Sequence, residues 1–81
     1  MQETMFVAQG FRKEGRRRRL VADQPQRFKS ASEAIRAAES LGNRRVGAVA
    51  YSIKIDHETD FADEPEVLFR TGELPPELSG E

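Results

Sequence analysis

The stretch Ser30-Ala31-Ser32-Glu33 constrains this chain more than any other. It fits a capping box, in which a serine hydroxyl and a glutamate carboxylate each take up a backbone N–H left over at a helix start. Behind it Ala31, Ala34, Ile35, Ala38 and Leu41 recur at helical spacing on one face, with Glu33, Arg36, Glu39 and Ser40 on the other. Gly42 closes the segment, with Asn43 behind it. The small alanines let such a helix sit close to a sheet, so Ile35 and Leu41 are its expected anchors.

Strand-like segments flank it on both sides. Thr4 to Arg12 carries Met5, Phe6, Val7 and Phe11, and Lys13-Glu14-Gly15 supplies a turn in which Gly15 can take a positive φ. Arg16 to Asp23 returns as the second arm of a hairpin, and Pro25 stops it because proline has no ladder N–H. After the helix, Arg45 to Asp56 is the longest strand-like run and the expected central strand. Val49, Tyr51, Ile53 and Ile55 lie on one of its faces, and Ala48, Ala50, Ser52 and Lys54 on the other. His57 to Glu66 is a polar, acidic connection, and Val67 to Thr71 a short last strand. The expected fold is α+β: a mainly antiparallel four-stranded sheet in the order β-β-α-β-β with one helix packed on one face. Residues 1–72 form a single domain, and residues 73–81, with Pro75-Pro76 and no apolar period, form a mobile tail.

At 81 residues the chain is near the size at which one core only just outweighs chain entropy. It is 33% charged with a net charge of -1, which argues against wholesale polyanion binding. With no cysteine, disulfides, thiolate zinc sites, iron–sulfur clusters and cysteine nucleophiles drop out together. The amino terminus shows no basic-then-apolar secretion pattern, so a cytoplasmic location is expected.

The charges are laid out unevenly. Residues 1–54 hold 12 basic and 5 acidic side chains, and residues 55–81 hold 1 and 9. If the second strand, the helix and the central strand form a crossover, the hairpin turn lies at the same end of the sheet as the helix carboxyl terminus. Arg12, Lys13, Arg16, Arg17, Arg18, Arg19, Arg44 and Arg45 then gather at one pole. Asp56, Glu58, Asp60, Asp63, Glu64 and Glu66 gather at the other. Complementing the helix dipole accounts for the few charges within a turn of the helix ends and leaves an excess of cations in the hairpin. Alternation along the second strand would send Arg16 and Arg18 to one face and Arg17 and Arg19 to the other, so one pair must snorkel around the sheet edge or stay in the turn.

These eight basic residues are the candidate binding surface. They suit contacts to a few backbone phosphates, and they equally suit a solvated hairpin tip whose arginines deter edge-to-edge aggregation. Asp56, Glu58 and Asp60 alternate as in a calcium loop, but Phe61 stands where glycine is needed and Val67 where the bidentate glutamate is needed, so no metal is expected. His57 reads as an exposed loop residue and Phe61 as a plug over the core. Phe6, Phe11, Phe28 and Phe69 read as core. Tyr51 and Ser52 have no base or oxyanion device in evidence, so no catalytic residue and no cofactor are assigned.

The stretches "FVAQGFRKEGRR", "LVADQPQRFKSASEAIRAAE" and "DEPEVLFRTGELP" resemble small uncharacterised bacterial proteins of β-β-α-β-β type. That resemblance implies a bacterial setting and brings no activity, cofactor or site. The expected function is that of a non-enzymatic small binding module, associating with a protein partner or with itself through charged poles and a sheet edge. The alternative is weak, sequence-independent binding of nucleic-acid phosphates by Arg16 to Arg19.

Overall fold

The computed structural model describes residues 2–59, 61–62 and 64–79. In chain order the elements are β1 (Gln2–Glu14), β2 (Arg19–Ala22), β3 (Gln26–Phe28), α1 (Ala31–Gly42), β4 (Gly47–Asp56), β5 (Phe61–Ala62), β6 (Glu66–Gly72) and the one-turn α2 (Pro76–Ser79). All pairings are antiparallel. β1 and β4 run side by side at the centre, from Gln2 opposite Asp56 to Phe11 opposite Gly47. β2 and β3 share the outer side of β1, and β5 and β6 share the outer side of β4. The α+β class, the antiparallel sheet and the single long helix on one face are as the sequence led us to expect. Two of the six strands were not foreseen, because β3 and β5 are three and two residues long and too short to show a period.

The helix begins as its cap dictates. Glu33 N–H donates to Ser30 Oγ at 3.3 Å, and the Glu33 carboxylate accepts from the Lys29 N–H at 3.2 Å, one residue earlier than the standard box. At the other end the Arg44 and Arg45 amides both donate to the Leu41 carbonyl at 2.9 Å, so main chain seals the helix as it turns into β4.

Ala34 and Ala38 of α1 meet Ala8 of β1 and Ala48 and Ala50 of β4, all at 0% exposure. These short side chains bring helix and sheet close, while Phe6, Phe28, Ile35, Leu41, Leu68 and Phe69 close the rim. Leu68 is the extra residue of a bulge in β6, where Ala50 pairs with Phe69 and Tyr51 with Val67, and the bulge turns both Leu68 and Phe69 toward the alanines.

The hairpin turn differs from the expected Lys13-Glu14-Gly15. β1 continues to Glu14, and the turn is Gly15 to Arg18, with positive φ at Gly15 (77°) and Arg18 (54°). Gly15 opens the turn instead of closing it. Arg16, Arg17 and Arg18 therefore sit in the turn and only Arg19 is on a strand, so strand alternation does not split the arginines. Because β2 and β4 both run antiparallel to β1, they are parallel to each other with α1 crossing between them. The turn and the carboxyl end of α1 accordingly share one end of the sheet.

The face away from α1 carries Met5, Val7 and Phe11 of β1, Gly47, Val49, Tyr51, Ile53 and Ile55 of β4, and Val67 of β6. At Gly72 (φ 71°) the chain leaves β6 and bends over this face. A Cβ on Gly47 would lie 1.9 Å from the Glu73 carbonyl oxygen, so only glycine admits the crossing. The Glu73 N–H donates to the Val46 carbonyl at 2.9 Å, and Leu74 and Pro76 line a groove with Lys13, Arg18 and Leu20. Residues 73–79 thus lie over the hairpin end of the helix-free face. Among the described residues no helix is long and apolar enough to cross a membrane.

Candidate binding surface

Eight basic residues converge on the hairpin end, as the crossover argument required, but they fall into two groups. Arg12, Lys13 and Arg45 are held in ion pairs. Asp23, just past β2, is anchored by its own N–H to the Gly10 carbonyl (2.8 Å) and by Gln9 Nε2 to its carbonyl (2.9 Å). Its carboxylate accepts from Arg12 Nη1 through one oxygen and from Arg45 Nε (2.6 Å) through the other. Gly10 leaves room for this clamp, since a Cβ there would lie 3.0 Å from Asp23 Oδ2 and 3.1 Å from Arg45 Cγ.

The Arg45 hydrogen bond, with help from Arg12 and against the cost of burial, holds the Asp23 carboxyl below the usual carboxylate range. Arg12 also donates Nε to Glu14 Oε1 at 2.8 Å, and the hydrogen bonds to Glu14 and then Asp23 hold its guanidinium above the ordinary value. On the opposite face Lys13 Nζ pairs with Glu73 Oε2 at 2.8 Å. Glu73 comes from the acidic half of the sequence, so this anion belongs to the basic end and not to the far pole.

The second group comprises Arg16, Arg17, Arg18, Arg19 and Arg44. All are exposed, and their side chains make no ion pair or hydrogen bond with another described residue. Arg44 lies in the connection between α1 and β4, while Arg16 to Arg19 project from a ribbon that outruns its neighbour, because β1 passes the start of β4 at Phe11 and pairs with β2 alone as far as Glu14 opposite Arg19. The left-handed φ of Arg18 costs about 1 kcal/mol for a residue with a Cβ, and its amide donates to the Gly15 carbonyl at 3.2 Å.

The far end holds Asp56 at the close of β4, with His57, Glu58 and Thr59 in the turn beyond it, Glu3 and Glu66 nearby in the register and Glu64 in the connection before β6. His57 Nε2 and Glu3 Oε2 are 2.6 Å apart, and the Glu58 N–H donates to Asp56 Oδ1 at 3.0 Å. Arg27, Lys29 and Lys54 are on this half too, so the negative pole is more mixed than the positive one. Asp60 and Asp63 lie outside the described residues, as does the side chain of Phe61 with its expected role as a plug. Among the described residues no group of three or more histidines and carboxylates could hold a metal ion.

Sequence reasoning missed Asp23 as the organiser of the basic end and residues 73–79 as part of the surface. The visible signals were an isolated acid between Ala22 and Gln24, and leucines at 74 and 78 flanking the two prolines. Burial raises the Tyr51 hydroxyl above its ordinary value, so Tyr51 stays a neutral, half-buried member of the helix-free face. No family model, no curated protein and no solved structure matches this chain.

Proposed function

We propose that this chain is a non-enzymatic interaction module that docks through the helix-free face of its sheet, with a second copy of itself as the occupant. One observation carries the reading. α1 covers a single face, and on the other Met5, Tyr51, Ile53, Ile55 and Val67 are only half-buried. Side chains of this kind, contiguous and without a second layer among the described residues, favour a protein surface of matching character. Tyr51 is the one aromatic among those five, whereas single-stranded nucleic acid is gripped by several stacked rings.

Face docking is better supported than the edge pairing suggested by the sequence. One edge is interrupted at Asp23 to Pro25 between β2 and β3, and the other by the break between β5 and β6 and the bulge at Leu68. Such interruptions disfavour strand addition. The resemblance to small bacterial proteins supports a bacterial cytoplasmic setting.

Sedimentation across a concentration series tests the proposal. The parent chain is expected to form a dimer that Ile53→Asp abolishes while the circular dichroism spectrum is retained. A parent that stays monomeric throughout would overturn it. So would fluorescent DNA or RNA binding, lost when Arg16 to Arg19 become serine, by a chain that never dimerises.

A further inference from the structure

The helix-free face is uneven in two respects, and both bear on how a second copy can lie on it. Its hairpin half is raised by residues 73–79, where the chain crosses Gly47 and Leu74 and Pro76 lie beside Lys13 and Leu20. Its other half, with Met5, Ile53 and Ile55, carries no such cover among the described residues. Charge follows the same division in the two turns: Arg16 to Arg19, without partners among the described residues, stand at the raised end, and Asp56 and Glu58 at the bare end, where Arg27, opposite Val7, adds a cation to the face itself.

Two copies related by a two-fold axis lying between their faces have two extreme arrangements. With the axis along the strands, raised half meets raised half and the two arginine turns stand side by side. With the axis across the strands, the raised half of each copy fills the bare half of the other, and each arginine turn lies by the partner's acidic turn. Shape and the charges of the two turns select the second arrangement.

The register makes it commensurate. Ala8 is opposite Ala50, Gly15 opens the basic turn seven residues beyond Ala8, and His57 opens the acidic turn seven residues beyond Ala50. Rotation of a second copy about the Ala8–Ala50 row therefore brings its basic turn to the level of the first copy's acidic turn.

We infer that the occupant of the helix-free face is a second copy docked head to tail, with Arg16 to Arg19 of each copy against the Asp56 to Thr59 turn of the other and residues 73–79 of each in the partner's bare half. The inference rests on the docking reading above and adds the orientation. It assigns Arg16 to Arg19 to partner orientation and rate of encounter, and the aliphatic face to holding the dimer together.

The chain has no cysteine, so engineered thiols report orientation without background. Arg17→Cys and Thr59→Cys, both at exposed positions in opposite turns, are oxidised with diamide separately and as an equimolar mixture, and the products are weighed by mass spectrometry. The mixture is expected to give a covalent dimer containing one of each chain, at least about tenfold above either variant alone, because the two thiols share a high effective concentration. Replacing Arg16 to Arg19 by serine is expected to weaken dimerisation and to flatten its salt dependence.

Dimers that sediment normally but cross-link Arg17→Cys to itself, or fail to cross-link in the mixture, would overturn the orientation and leave the docking surface standing. Monomers at every concentration would remove the docking surface and the orientation together.

Discussion

The two faces of the sheet solve the same problem with opposite means. On the α1 side the sheet offers Ala8, Ala48 and Ala50, the helix offers Ala34 and Ala38, and the layers meet with those five at 0% exposure. On the other side the sheet offers larger side chains, Met5, Val7, Phe11, Val49, Tyr51 and Ile53, and a short return of chain at residues 73–79 covers only part of them. Each face is closed at the hairpin end by a carboxylate: Asp23 with Arg12 and Arg45 on the helix side, Glu73 with Lys13 on the other. The difference lies in completeness: the short side chains seal one face throughout, while on the other the cover seals Val7, Phe11 and Val49 and leaves Met5, Tyr51 and Ile53 half-buried.

Substitutions that fill space break this contrast most sharply. Gly47→Ala places a methyl group where the Glu73 carbonyl stands, 1.9 Å away, and backbone must move to admit it. We expect a loss of about 3 kcal/mol, measured as a lower denaturant midpoint, together with faster proteolysis within 73–79. Ala38→Leu drives bulk into the sealed alanine seam and is expected to cost about 2 kcal/mol. Enlarging Val67 on the half-covered face should stay within about 0.5 kcal/mol, so the two unfolding curves measure the asymmetry directly.

Asp23→Asn is expected to cost about 1 kcal/mol at neutral pH, through loss of a charged acceptor shared by two guanidinium groups. Because the folded carboxyl is held below its ordinary value, its contribution is complete above the unfolded value of about 3.9 and is lost as pH falls through the lower folded value. The parent and the Asn variant should therefore converge in stability in acid, which unfolding series at pH 7 and pH 2 would check.

The helix was legible to the residue, since cap, period and stop all agree between Ser30 and Gly42. The long strands were legible from their apolar content, and the gathering of cations followed from topology alone. The local detail was not. Lys13-Glu14-Gly15 reads as a turn because a turn glycine can occupy several positions, and only the register places Gly15 at its start. The role of Asp23 depends on Arg45, 22 residues away, which no local pattern announces. The path of residues 73–79 depends on two glycines, Gly47 and Gly72, that meet only in the folded sheet.

The crossing at Gly47 also sets an order of events during translation. Residues 73–79 follow β1 to β6 in sequence, so the ribosome delivers them after β1 and β4 have emerged and can pair. Until then Phe11, Val49 and their neighbours lack that cover, and a nascent chain beside another on the same message exposes these apolar side chains to it.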